Sequence, residues 1–83
     1  MKNKKEKILN DIKPIFQEVL GNKKLKLKYD SSPEKVKNWD SASTIGIIVG
    51  LEKHLKIKFN VSELANLKNV GEIINLIIKK KKL

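Results

Sequence analysis

Apolar residues in this chain recur at three- and four-residue intervals, a spacing that lines them along single helix faces and leaves almost nothing from which to build a sheet. Between Glu6 and Leu20 the series is Ile8, Leu9, Ile12, Ile15, Phe16, Val19 and Leu20, which predicts a first helix. Pro14 lies inside it, so the helix either kinks there or restarts near Lys13, and Gly21-Asn22 stops it. A second helix is expected from Ser41 to Leu55, with Ile45, Ile48, Leu51 and Leu55 forming one face and Thr44 beside them. Burying those four is worth about 1.5 to 3 kcal/mol each, which makes this helix a principal stabiliser of so small a domain.

Between the two lies a long lysine-rich connection, Lys23 to Asn38, in which Leu25, Leu27 and Tyr29 alternate with polar residues as if laid across an underlying surface. No second segment offers itself as a pairing partner, and a lone strand is unstable, so it is read as a loop that crosses the domain. Ser32-Pro33-Glu34 has the order of a single capped helical turn. After the second helix, Lys56-Ile57-Lys58-Phe59 reads as a short extended link that drops two apolar side chains inward. Asn60 with Glu63, and Asn69 with Glu72, repeat the capping-box spacing and start two more helices. The third, Val61 to about Asn66, contributes Leu64 and Leu67. The fourth begins near Val70 and brings Ile73, Ile74, Leu76, Ile77 and Ile78. The fold expected is all-α, a four-helix bundle with a long first loop and a short third helix, forming one domain over residues 1–83.

Size and composition narrow the function. A chain of 83 residues buries only about 60 to 65% of its unfolded surface, so it has one small core and no room for a deep cleft. The single histidine, His54, has no evident chain of partners, and self-contained catalysis is not expected. Without cysteine there is no disulfide, thiolate metal site or native thiol; a reducing, cytoplasmic compartment fits. No apolar run approaches the roughly 20 residues of a membrane span. The formal charge is +10, yet every basic residue is lysine, so the planar fork that reads guanine is missing, and aromatics for base stacking are few. No specific nucleic-acid partner is therefore expected. Many lysines sit at the ends, residues 1–5 and 79–83, where they are expected to be solvated and frayed.

Trp39-Asp40-Ser41 stands at the mouth of the second helix and carries the chemistry. Asp40 and Ser41 are both residue types that accept the unpaired first N–H groups of a helix, and those groups with the helix dipole also favour an attached phosphate. An Asp-Ser pair alone is more often a plain cap than a modification site. The opposite face of the second helix carries Ala42, Ser43, Gly46 and Gly50, with Val49 at its margin. Two interior glycines cost about 1 kcal/mol each relative to alanine, so either a docking partner or a neighbouring helix approaches closely there, and both readings stay open.

The ordered set of helix, long loop, Trp39-Asp40-Ser41, helix, short link, small helix and last helix resembles the acyl carrier protein family across nearly the whole chain. Trp39 to Ile45 looks like the family's attachment motif, Leu51 to Phe59 like the segment that follows it, and Pro14 to Leu20 is similar to the first helix of its stand-alone members. The resemblance implies that a phosphopantetheinyl transferase, with magnesium and coenzyme A, attaches 4′-phosphopantetheine covalently to Ser41. Asp40 would help orient the transferase and its metal. The arm would supply the missing thiol and carry acyl or aminoacyl groups as thioesters to loading and transfer enzymes of fatty-acid or secondary-metabolite biosynthesis. The chain would be a monomeric carrier and not an enzyme, with no metal site of its own. It further implies partner docking at Ala42, Ser43, Gly46, Val49, Gly50 and Lys53, and a small acyl pocket drawn from Ile45, Ile48, Leu51, Phe59 and Leu64, each of which is equally a plain core position. Two departures stand out: Ala42 replaces the family's usual leucine after the serine, and Ser43 and Gly46 stand where acids are usual. Basic partner surfaces would gain little from this helix, so neutral or acidic ones are expected. Two readings compete: a basic helical module for nucleic acid or anionic membrane, and an unmodified carrier fold kept for a structural role.

Overall fold

The computed structural model describes residues 3–60, 62–63 and 67–82, and among them every regular element is helical: α1 (Lys4–Leu20), α2 (Ser41–Leu55) and α3 (Val70–Lys81). α3 is the last helix of the expected order. The short helix before it is represented by Ser62 and Glu63, which are helical. Val61 and Leu64 to Asn66, with the acyl-pocket position at Leu64, lie outside the described residues.

Each helix begins on a side-chain cap. Asn3 Oδ1 accepts the Glu6 N–H at 2.8 Å, which starts α1 two residues before the expected Glu6. Pro14 lies within an unbroken α1, so the helix neither stops nor restarts near Lys13. Gly21, at φ 67°, closes it in the left-handed conformation and donates to the Gln17 and Glu18 carbonyls. Asn69 Oδ1 accepts the Glu72 N–H at 2.9 Å, while the Glu72 carboxylate reaches one residue further back than a capping box requires and accepts from the Lys68 N–H at 3.0 Å. Asn60 and Glu63 form the full reciprocal pair, both at 2.9 Å.

The core joins Ile8, Ile12, Phe16 and Leu20 of α1 to Ile47, Ile48, Leu51 and Leu55 of α2 and Val70, Ile73, Ile74 and Ile77 of α3, with Leu27 and Trp39 inserted from the long connection. α1 packs against both other helices. One expectation is corrected here: the inward face of α2 holds Ile47 rather than Ile45, which is 66% exposed. The reason lies in the glycines. A Cβ on Gly50 would stand 2.8 Å from Ile15 Cγ2, and one on Gly46 would stand 3.2 Å from Val19 Cγ1. The bare face of α2 is therefore where α1 comes close, and that approach turns Ile47 inward and Ile45 out.

The long connection is held without a strand. Gln17 Nε2 donates to the Leu25 carbonyl at 3.1 Å, and Leu27 is buried. Two N–H groups of the first turn of α3, Val70 and Gly71, donate to the carbonyls of Ser31 at 2.9 Å and Tyr29 at 2.7 Å. The orphan donors of a helix start thus pin the loop. Ser31 is buried, and its Oγ accepts the Lys28 N–H at 2.9 Å. At Ser32 the expected turn forms, the Lys35 and Val36 N–H groups both donating to its carbonyl.

The lysine-rich ends, expected to fray, contain helical residues: Lys4 and Lys5 open α1, and Lys79 to Lys81 close α3. Lys80 Nζ lies 2.8 Å from Glu63 Oε1 and 5.8 Å from the centre of the Phe59 ring, and Lys81 Nζ donates to the Leu55 carbonyl at 2.9 Å. Among the described residues no helix is long and apolar enough to cross a membrane.

Candidate functional site

Asp40, not Ser41, is the cap of α2. Its backbone is extended, at φ −130° and ψ −169°, and its Oδ1 accepts the Ser43 N–H at 2.9 Å. Ser43 completes the box by accepting the Asp40 N–H on its Oγ at 2.8 Å, taking the place that a glutamate usually fills, and it donates to the Asn38 carbonyl at 2.9 Å. Asn38 is in the left-handed region at φ 71°, which asparagine tolerates, and turns the connection into the helix. The Ser43 N–H and then the Ser43 hydroxyl hold the Asp40 carboxyl below the usual carboxylate range, so it is ionised at neutral pH.

Trp39 locks this mouth to the core. It is 6% exposed, its ring meets Phe16 edge-on at 5.3 Å and 76°, and its Nε1–H donates to Thr44 Oγ1 at 2.9 Å. Thr44 Oγ1 donates in turn to the Asp40 carbonyl at 2.7 Å. A relay of Phe16, Trp39, Thr44 and Asp40 therefore joins the middle of α1 to the first turn of α2.

Three hydroxyls cluster here, at Ser41, Ser43 and Thr44, and two are tied down. Ser41, the first residue of α2, is exposed, and among the described residues nothing hydrogen-bonds its Oγ. The Asp40 carboxylate is exposed beside it, with its Oδ1 turned to the Ser43 N–H. An available nucleophilic oxygen next to an ionised carboxylate, at the positive end of a helix, suits esterification by a phosphoryl group under a divalent cation.

The expected docking residues divide. Ala42, Val49 and Lys53 are exposed. Ser43 is half-buried and belongs to the cap, while Gly46 and Gly50 face α1 and are removed from the docking surface by the close contacts of Val19 and Ile15. The acyl-pocket set divides as well. Ile48 and Leu51 are buried in the core, Phe59 packs against it half-buried, and Ile45 is exposed on the outer face of α2. His54 does have a partner: its Nε2 lies 2.9 Å from Asp11 Oδ1 on the exposed side of α1. Sequence reasoning missed the roles of Ser43 and Thr44. The Asp40-to-Ser43 spacing was the available signal for the first, and nothing local marked the second.

The fold is thus a small all-α bundle with a capped helix mouth that exposes the Ser41 hydroxyl. No family model and no curated protein sequence matches the chain. Among solved structures it is similar to a solution NMR structure of holo acyl carrier protein from Geobacter metallireducens, with 40% identity and a TM-score of 0.82 over 89% of this chain and 85% of that one. The chain belongs to the acyl carrier protein family and is a carrier, not an enzyme.

Proposed function

We propose that this chain carries acyl or aminoacyl groups as thioesters on a 4′-phosphopantetheine arm esterified to Ser41. The observation that supports this best is the contrast among neighbouring hydroxyls: Ser43 and Thr44 are spent on the cap and on Trp39, while the exposed Ser41 Oγ has no hydrogen bond among the described residues. When bound, the arm supplies the thiol that the chain itself lacks. Ser41 holds the phosphodiester at the start of α2, where the helix dipole stabilises its charge. Asp40 stays ionised and turned toward the Ser43 N–H, which leaves carboxylate capacity for the magnesium ion that a phosphopantetheinyl transferase brings during loading. Trp39 and Thr44 keep the serine in register with that carboxylate.

Loading and acyl-transfer enzymes then meet the outer face of α2, with Ala42, Val49 and Lys53 as contacts. The chain works as a cytoplasmic monomer, in keeping with its lack of cysteine. Incubation with coenzyme A, magnesium and a broad-specificity transferase is expected to add one phosphopantetheine to the intact mass, and Ser41→Ala is expected to abolish the increment while leaving the fold unchanged. No increment with several transferases would refute the carrier reading.

A further inference from the structure

The far end of α2 holds a second feature that the modification of Ser41 does not use. Val49, Glu52, Lys53, Lys56, Ile57 and Lys58 line an open groove of about 550 Å³. Its walls are set by the backbone. Lys56 ends α2 in the left-handed conformation, at φ 57°, and donates to the Glu52 carbonyl, to which the Ile57 N–H also donates at 3.3 Å. The Glu52 carboxylate turns inward and accepts the Phe59 N–H at 2.9 Å. The link is thereby fixed as extended chain, with Ile57 and Phe59 against the core and Lys56 and Lys58 exposed beside Lys53. Three lysines line one groove, and among the described residues none of them forms an ion pair.

The floor is apolar and runs on toward Ser41. Val49 is 42% exposed and Ile45 66%, and these are two of the three large hydrophobic side chains exposed among the described residues. Val49 lies about 12 Å along the helix from Ser41 and Lys53 about 18 Å, at 1.5 Å per residue. One stripe of α2 thus passes from the serine through apolar side chains to a cationic end.

Resting on the carrier reading above, we propose that this groove seats an acidic segment of a partner enzyme, with an apolar side chain on Val49 and Ile57 and carboxylates on Lys53, Lys56 and Lys58. Carboxylates set along the groove complement the positive charge of the three lysines that line it. Lysines act as point charges without a planar fork, which suits carboxylates on a protein helix better than base edges, and no aromatic side chain lines the groove for base stacking. Binding is consequently modest, fast and sensitive to salt.

The test uses the full chain, isotopically labelled, and two amphipathic helical peptides of leucine with glutamate and of leucine with lysine. The leucine–glutamate peptide is expected to move the amide resonances of Val49, Lys53, Ile57 and Lys58, to weaken as salt rises, and to lose roughly tenfold in affinity on joint Lys53→Glu, Lys56→Glu and Lys58→Glu reversal. The corresponding Gln variants should lose less, and Lys26→Glu with Lys28→Glu, on the long connection, should change little. Equal binding by the reversed variant, resonance changes spread over the lysine surface at large, or displacement of the peptide from these residues by anionic phosphatidylglycerol vesicles would overturn the proposal. Intact mass after transferase treatment separates the two readings. A chain that gains the arm yet leaves the groove resonances unmoved refutes the seat alone, whereas a chain that gains no arm refutes the carrier reading beneath it.

Discussion

A single threonine hydroxyl decides how firmly the mouth of α2 is held. Thr44 accepts from the buried Trp39 indole and donates to the Asp40 carbonyl, so Thr44→Val keeps the shape and strands the indole N–H. The expected cost is about 1 to 2 kcal/mol of unfolding free energy, measurable by chemical denaturation followed through Trp39 fluorescence. Asp40 answers to pH. Its carboxyl is held low in the folded chain by Ser43, so its contribution is present above the unfolded value and is lost as pH falls through the folded one. Lys35 and Lys80 act in the same direction on Asp30 and Glu63. Tm should therefore fall as the solution is acidified through the carboxylate range; Asp40→Ala should melt lower at neutral pH, and its deficit should narrow in acid. A deficit constant with pH would contradict this. At this scale the sequence was legible where spacing is local: the caps at Asn60 and Asn69 and the turn at Gly21 follow from residue type. The pairing of Trp39 with Thr44 depends on where α1 places Phe16, which no local spacing records.

Among the elements, α2 was bounded correctly from its pattern, while its rotation was not. Isoleucines at 45, 47 and 48 and valine at 49 make the helix apolar over most of its circumference, so periodicity alone cannot choose the buried arc. The choice is made by the two glycines, because only their side lets α1 approach. Gly50→Ala is expected to destabilise by about 1 to 2 kcal/mol, since the methyl would sit 2.8 Å from a branched carbon of Ile15 and the clash outweighs the gain in helix propensity. Gly46→Ala meets Val19 at 3.2 Å, where a small shift suffices, and is expected to be near neutral. Thermal melts of the two variants test the assignment; an equal effect would show that the glycines do not set the α1–α2 contact. Pro14 carries a similar lesson: its presence within α1 left a break open, yet the buried series Ile8, Ile12, Phe16 and Leu20 holds the helix together across it.

For the whole molecule, the connection between α1 and α2 is the unifying part. It is tied to α1 through Gln17, to α3 through the Tyr29 and Ser31 carbonyls, and to α2 through Asn38 and Trp39. Its crossing of the domain could be anticipated from the alternation of Leu25, Leu27 and Tyr29, but its anchorage on the first turn of α3 could not, since backbone carbonyls leave no signature in residue type. Gly71 belongs to that anchorage: a Cβ there would lie 3.1 Å from the Tyr29 carbonyl oxygen. The seating of the connection can accordingly be timed on its own. The Val70 and Gly71 amide protons are shielded from solvent exchange only while the strap lies in place, whereas those of Ile74 and Ile77 answer to the helix itself. If the first pair trades hydrogen for deuterium faster than the second, the strap lifts while the bundle stays whole, and those two protons become a built-in clock for the segment that leads into Ser41.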